Sequence, residues 1–180
     1  MKKIRVKTDD YVWIGEYPLH KQLKDELVPL LEKYPDQHNR ETNVKATMTE
    51  WNWNPENVRL ERLKNNILEF VNYNCNYYPP RTIEDTRSVR YLMKDFWGNI
   101  YRKGDYTKPH THRPEVFSCV YFLKSKWYHS PLVFSHSGKK IRPTEGTFVI
   151  FPSHMNHLVP KHRYRDTRIT LSGNIVIKNP

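Results

Sequence analysis

Glycine, cysteine and acidic side chains are all in short supply in this chain. Its 180 residues include six Gly and two Cys, and 19 Asp and Glu stand against 30 Lys and Arg. Two cysteines, Cys75 and Cys119, cannot make a disulfide framework; each sits among apolar or aromatic neighbours and reads as a buried thiol of a cytoplasmic protein. No apolar run approaches the roughly 18 residues of a membrane span, so no membrane association is expected. The basic start, MKKIRVKTDDYVW, lacks the apolar stretch of a signal peptide. The shortage of acid leaves a formal net charge of +11, which favours an acidic partner surface. The basic residues are scattered (Lys2, Lys3, Arg5; Arg59, Arg62, Lys64; Lys161, Arg163, Arg165), and no nucleic-acid recognition motif accompanies them, so nucleic acid is the less favoured partner.

Aromatic residues are abundant: 12 Tyr, seven Phe and five Trp favour strands and a core of large rings. The 13 Pro point to short elements joined by stiff turns. The length suits one domain, 1–180, able to bury a sizeable core. Nothing repeats.

Periodicity divides the chain. Residues 1–87 read as mainly helical. Leu19, Leu23, Leu27, Leu30 and Leu31 follow helical spacing, interrupted or kinked at Pro29. A second helix is predicted from Asn54-Pro55, with Asn54 as cap and Pro55 in the first turn; Val58, Leu60, Leu63, Ile67, Leu68 and Val71 form its apolar face, and it fades before Tyr77-Tyr78-Pro79-Pro80. From Ser88 the period becomes two, and SVRYLMKDFW, NIYR, EVFSCVYFLKS, PLVFSH, GTFVIFP and DTRITLSGNIVIKN read as strands. Helices followed by short strands predict an α+β fold: an antiparallel barrel or jelly roll over 88–180 with N-terminal helices packed outside. In the last strand Arg168, Thr170, Ser172 and Asn174 share one face, with Ile169, Leu171 and Ile175 on the other. A polar row usually faces solvent; in a small barrel it lines a polar cavity. Arg168 and Ser172 then point the same way, about 13 Å apart at Cα.

The chemistry concentrates in His110-Thr111-His112, His157 and Arg168. In extended chain, residues i and i+2 project to one side, so His110 and His112 can face one ion while Thr111 turns away. His157 follows the strand GTFVIFP after a turn at Pro152-Ser153. Three neutral imidazoles suit Fe(II), Zn(II), Ni(II) or Cu(II) and leave coordination positions open. A bare H-x-H is weak; joined to the later His and Arg it predicts a metal site. Arg168 is either a surface residue paired with Asp166 or a planar fork for a carboxylate.

The stretch from Trp97 to Asn174 resembles the iron(II)/2-oxoglutarate-dependent oxygenases of the prolyl-4-hydroxylase type, and among them a branch of bacteria and tailed bacteriophages whose first motif is often His-x-His. The likeness is carried by W-G-N-I-Y-R-K-G-D-Y-T-K-P-H-T-H, S-C-V-Y-F-L, E-G-T-F-V-I-F-P-S-H-M-N-H and R-I-T-L-S-G-N, a little under half of the chain. T-N-V-K-A-T-M-T-E-W at 42–51 also has the look of the phage branch. The resemblance implies a double-stranded β-helix and the cofactors Fe(II) and 2-oxoglutarate. His110 and His157 take the places of the family's histidine ligands, and His112 that of its carboxylate. Arg168 takes that of the 2-oxoglutarate anchor, with Ser172 as its hydroxyl partner. Phe122 stands where many prolyl hydroxylases have a tyrosine. Asn174 stands where alkylation-repair oxygenases carry a second arginine, which argues against a nucleobase demethylase.

The function implied is hydroxylation of a protein or peptide side chain, with decarboxylation of 2-oxoglutarate to succinate. The alternative is a catalytically silent structural or binding protein of the same fold, in a phage particle or assembly, that keeps a three-histidine metal site. Replacing a carboxylate by neutral His112 leaves the site one unit more positive, which favours that alternative and Zn(II) or Ni(II). The loop Ser125–Ser130, with Trp127 and Tyr128, and the segment before His110 are expected to border the site.

Overall fold

The structure, a computed structural model, describes residues 2–5, 10–35, 42–75 and 90–178. Every strand ladder is antiparallel. One sheet has the order β1 (Lys2–Arg5), β2 (Tyr11–Glu16), β10 (Thr147–Pro152), β7 (Phe117–Lys124), β12 (Arg168–Ile177), β5 (Tyr91–Tyr101), β4 (Thr47–Met48). The other runs β3 (Val44–Lys45), β6 (Tyr106–His110), β11 (His157–Val159), β8 (Leu132–Phe134), β9 (Lys139–Ile141). The two sheets make a jelly-roll-like arrangement. Two helices among the described residues, α1 (His20–Glu32) and α2 (Val58–Asn74), pack against the larger sheet. Neither is long and apolar enough to cross a membrane.

The period-two pattern explains how the larger sheet is covered on both faces. Odd-numbered residues of β7 and β12 (Phe117, Tyr121, Leu123; Ile169, Leu171, Ile175) join Phe148 and Ile150 of β10 and the helix leucines in one core. Residues of opposite phase, Val120, Phe122, Val149 and Phe151, meet Leu132, Phe134 and Ile141 of the smaller sheet. The polar row of β12, predicted to line a cavity, is therefore on the inner face, and Arg168, Thr170, Ser172 and Asn174 are all buried.

In α1, Leu23, Leu27 and Leu31 are fully buried, each contributing about 1.5–3 kcal/mol through removal from water. Leu30, expected on the same face, is 49% exposed, because it stands one position before Leu31 and so about 100° round the helix from that buried side chain. The helix runs through Pro29. α1 lies so close to β5 that a Cβ on Gly98 would stand 2.7 Å from Leu31 Cδ2. The second helix starts three residues later than Asn54 predicts. Asn57 is the N-cap, its side chain accepting from the Leu60 N–H at 2.9 Å. Tyr77–Pro80, where the sequence ends this helix, lie outside the described residues, and α2 itself closes at Asn74. The two strands expected at SVRYLMKDFW and NIYR are one, β5, over Tyr91–Tyr101, because Gly98 continues the ladder opposite Leu171; Ser88 and Val89 lie outside the described residues. The short strands β1 to β4, β6, β9 and β11 were not expected from period-two runs.

Candidate metal centre

His110 closes β6 and His157 opens β11, and antiparallel pairing sets them directly opposite each other. Their ring centroids are 4.3 Å apart. His112 follows two residues later, fixed by its backbone N–H, which donates to the Ser153 carbonyl at 2.9 Å. Its ring lies nearly parallel to that of His157, at 5.2 Å and 21°. One nitrogen from each of the three rings falls within 4.8 Å of the others.

The hydrogen bonds determine which nitrogens are available. His110 Nδ1 is 2.8 Å from the Lys108 carbonyl and His157 Nδ1 is 2.9 Å from that of Met155. A carbonyl only accepts, so each Nδ1 carries the proton and each Nε2 presents a lone pair, the arrangement that orients histidine ligands. His110 Nε2 and His112 Nε2 are 3.1 Å apart. Two nitrogens each about 2.1 Å from one ion are separated by that much when the angle between the bonds is about 95°. Burial pushes all three imidazole pKa values down: that of His157 well below the ordinary value and that of His112 to about 4, with the neighbouring His110 adding to the effect. The rings are neutral at pH 7, as ligands must be.

These histidines line one part of a pocket of about 450 Å³, counted out to its open mouth. Trp97, whose ring is 6.0 Å from that of His112, forms a wall there. Its indole N–H donates to Asn99 Oδ1 at 3.1 Å, and Asn99 Nδ2 donates to Ser172 Oγ at 3.0 Å, so Ser172 keeps its own proton to donate into the pocket. Val120, Leu132, Phe151 and Val159 supply apolar walls.

Arg168 also lines this pocket and is 1% exposed. Its guanidinium carbon lies 4.7 Å from the ring centre of Tyr101 and 5.5 Å from that of Phe122. Among the described residues none of its three nitrogens has a hydrogen-bond partner and no carboxylate lines the pocket. Burial lowers the Arg168 pKa, yet a guanidinium stays charged in proteins. A cation left without an anion in such surroundings costs several kcal/mol, a cost that an anion entering the pocket would relieve.

The structure thus brings His110, His112 and His157 together and puts Arg168 and Ser172 on the same wall. Asp166 does not pair with Arg168; it pairs with Lys126 and His129. Of the two segments expected to border the site, that before His110 does so through Thr107, while none of residues 125–130 lines the pocket. The loop after β7 departs from the end of the strand nearest Arg168, away from the histidines. Tyr101, Asn99 and Thr107 were not assigned roles from sequence. Tyr101 pairs across the ladder with Arg168, and its hydroxyl is 2.7 Å from Thr107 Oγ1. Only strand register reveals that neighbour.

A second group, His129, His162 and Asp166, also brings possible ligand atoms within 4.8 Å. Its hydrogen bonds are largely matched without an ion. The Lys126 N–H donates to His129 Nδ1 at 3.2 Å, so Nε2 carries the proton given to Asp166 Oδ2 at 3.1 Å. His162 Nε2 donates to the Asp166 carbonyl at 2.8 Å, leaving its Nδ1 unpartnered among the described residues. This is a buried polar knot that ties two loops together.

No protein-family model and no curated protein sequence matches the chain. Solved structures do match in fold. A viral collagen prolyl hydroxylase from Paramecium bursaria Chlorella virus-1, solved as a 2-oxoglutarate complex, is 14% identical with a TM-score of 0.67, over 91% of this chain and 94% of that one. A Pseudomonas putida prolyl-4-hydroxylase is 17% identical with a TM-score of 0.67, over 93% and 92%. A Trichoplax adhaerens prolyl hydroxylase in complex with a peptide fragment of hypoxia inducible factor is 13% identical with a TM-score of 0.64, over 92% and 83%. The fold is that of the 2-oxoglutarate, iron(II) oxygenases.

Proposed function

We propose that this protein is an Fe(II)/2-oxoglutarate-dependent dioxygenase that hydroxylates a protein or peptide side chain. The observation that carries the reading is the buried, unpartnered Arg168 guanidinium in the same pocket as three converging, neutral histidines. His110, His112 and His157 would hold the iron, and Arg168 the distal carboxylate of 2-oxoglutarate. When bound, the pair supplies an oxidant: dioxygen is consumed, 2-oxoglutarate is decarboxylated to succinate, and one oxygen atom enters a C–H bond.

The chain's own residues orient and exclude. Arg168 presents a planar fork that a carboxylate fills bidentately. The Tyr101 and Thr107 hydroxyls, mutually hydrogen-bonded beside it, offer a proton to the same anion, as the residue at 122 cannot. Asn99 holds the Ser172 hydroxyl and the Trp97 indole in place. The Lys108 and Met155 carbonyls keep the Nδ1 protons of His110 and His157, so neither ring flips its lone pair away. The apolar walls keep water from the reacting centre. The fold likeness to a prolyl hydroxylase solved with a peptide supports the substrate class.

The test is anaerobic titration of 2-oxoglutarate into Fe(II)-loaded protein, followed by oxygen and assay of succinate. A visible charge-transfer band, lost in Arg168→Gln, is expected, with succinate released on oxygenation. A second reading, a silent protein of this fold with a three-histidine metal site, rests on His112 standing where a carboxylate is usual. A bound metal with no band and no succinate would establish that reading instead.

A further inference from the structure

Basic residues that are scattered in sequence converge in space at the Arg168 end of the sheets. The turn between β5 and β6 meets the loop before β12 through two backbone bonds, Gly104 N–H to the His162 carbonyl and His162 N–H to the Asp105 carbonyl, both 2.7 Å. The loop after β7 joins them: the rings of Tyr128 and Tyr164 are 4.6 Å apart, Lys126 Nζ is 3.0 Å from Asp166 Oδ2, and Ser130 Oγ donates to the Lys161 carbonyl at 3.2 Å. Beneath them lie His129 and His162, each 1% exposed, gripping the Asp166 side chain and carbonyl. Three loops are thereby held as one platform.

The platform presents flat rings and cations together. Trp127 is 72% exposed and Tyr164 40% exposed. Lys103, Lys161, Arg163 and Arg165 are exposed, and none has a carboxylate within ion-pair distance among the described residues. Of the nearby acids, Asp166 is taken by Lys126 and His129, and buried Asp105 accepts from the Arg102 N–H at 2.7 Å.

We propose that this surface docks single-stranded nucleic acid, with Trp127 and Tyr164 as stacking rings and Lys103, Lys161, Arg163 and Arg165 as phosphate contacts. An acidic peptide would match the cations but offers no flat face to an exposed indole. Interleaved cations and projecting rings suit unstacked bases on a charged backbone. A duplex is disfavoured, because its bases are already stacked and no helix here projects to enter a groove. None of these six residues lines the histidine pocket, so the inference stands apart from the oxygenase reading.

The experiment is fluorescence anisotropy of fluorescein-labelled oligo-dT and oligo-rU, each a dodecamer, with the full chain, from 50 to 300 mM KCl. Binding is expected at low salt, with log K falling against log salt at a slope of about −3 for four contacts on a single strand. Trp127→Ala should weaken binding about tenfold, as loss of one stacked base does, and leave the salt slope unchanged. Arg163→Glu with Arg165→Glu should abolish it. Lys139→Glu with Lys140→Glu changes net charge equally at exposed residues near the histidine end, where Lys139 pairs with Phe134 and Phe134 with His157; it should alter affinity less than threefold. Circular dichroism melts establish that each variant folds. No binding at 50 mM KCl, no effect of Trp127→Ala, equal loss in both charge-reversal pairs, or equal competition by an oligoglutamate peptide of the same length would each overturn the proposal.

Discussion

Arg168 lies over the ring of Tyr101, its cross-strand partner, at 4.7 Å from guanidinium carbon to ring centre. The contact satisfies the cation with a quadrupole and leaves its N–H groups free for an anion. A fold stabilised by this residue would have given it a carboxylate. Stability and binding should therefore separate at this position.

Arg168→Met removes the buried charge and keeps much of the volume. In metal-free protein it is expected to leave unfolding free energy unchanged or raise it by about 1–4 kcal/mol, since apolar replacements of buried ions are often neutral or stabilising. The same variant should lose 2-oxoglutarate binding altogether. Urea titration and calorimetry of ligand binding measure the two effects on one sample.

His112→Asp supplies the negative charge that the histidine set lacks. The backbone at this position is held by Ser153, so the shorter carboxylate projects from the same place. Fe(II) affinity is expected to rise about tenfold, near 1.4 kcal/mol, and succinate release with it. Competitive chelator titration reads the affinity. A weaker site would mean that the pocket is shaped around the third imidazole.

Much of this site was legible because strand periodicity is strict. Placing Arg168, Thr170, Ser172 and Asn174 on one face needs only alternation, and the core residues Ile169, Leu171 and Ile175 confirm the phase. Tyr101 was not legible, because register depends on tertiary pairing and one residue's slip would turn it to the helices. The strands β1 to β4 have two to six residues, too few for a period to stand out. The loop Ser125–Ser130, with Trp127, is expected at the pocket border, but β7 delivers it at the Arg168 end, and none of its residues lines the pocket.

Gly98→Ala tests the docking of α1. The added methyl would stand 2.7 Å from Leu31 Cδ2 and 3.2 Å from Thr49 Cγ2. Leu31 is fully buried, so any shift of its side chain must displace packed neighbours. A loss of about 1–3 kcal/mol is expected from overpacking, seen as a lower urea midpoint with an unchanged slope. Leu27→Ala, which leaves a cavity where a fully buried side chain of α1 stood, should cost about 2–5 kcal/mol.

Acid should unfold the metal-free protein through its histidines. His112 has a folded pKa of about 4, against the ordinary 6.5 of an exposed imidazole, and burial depresses His110 and His157 in the same direction. As pH falls below 6.5, the unfolded chain takes up protons that the folded chain refuses. Stability from these groups is thus complete above about pH 6.5 and is lost as pH falls; the His112 share is lost over the window down to about pH 4, and the share of the more strongly depressed His157 goes on falling below it. His112 alone accounts for about 3 kcal/mol across that window. Urea unfolding in EDTA at pH 7.5 and 5.0 measures the fall, and His112→Leu should reduce it because the variant has no imidazole to protonate at that position. A saturating divalent metal should stabilise the protein at pH 7.5 and do progressively less toward pH 5, since ligand and proton compete for the same Nε2 lone pairs.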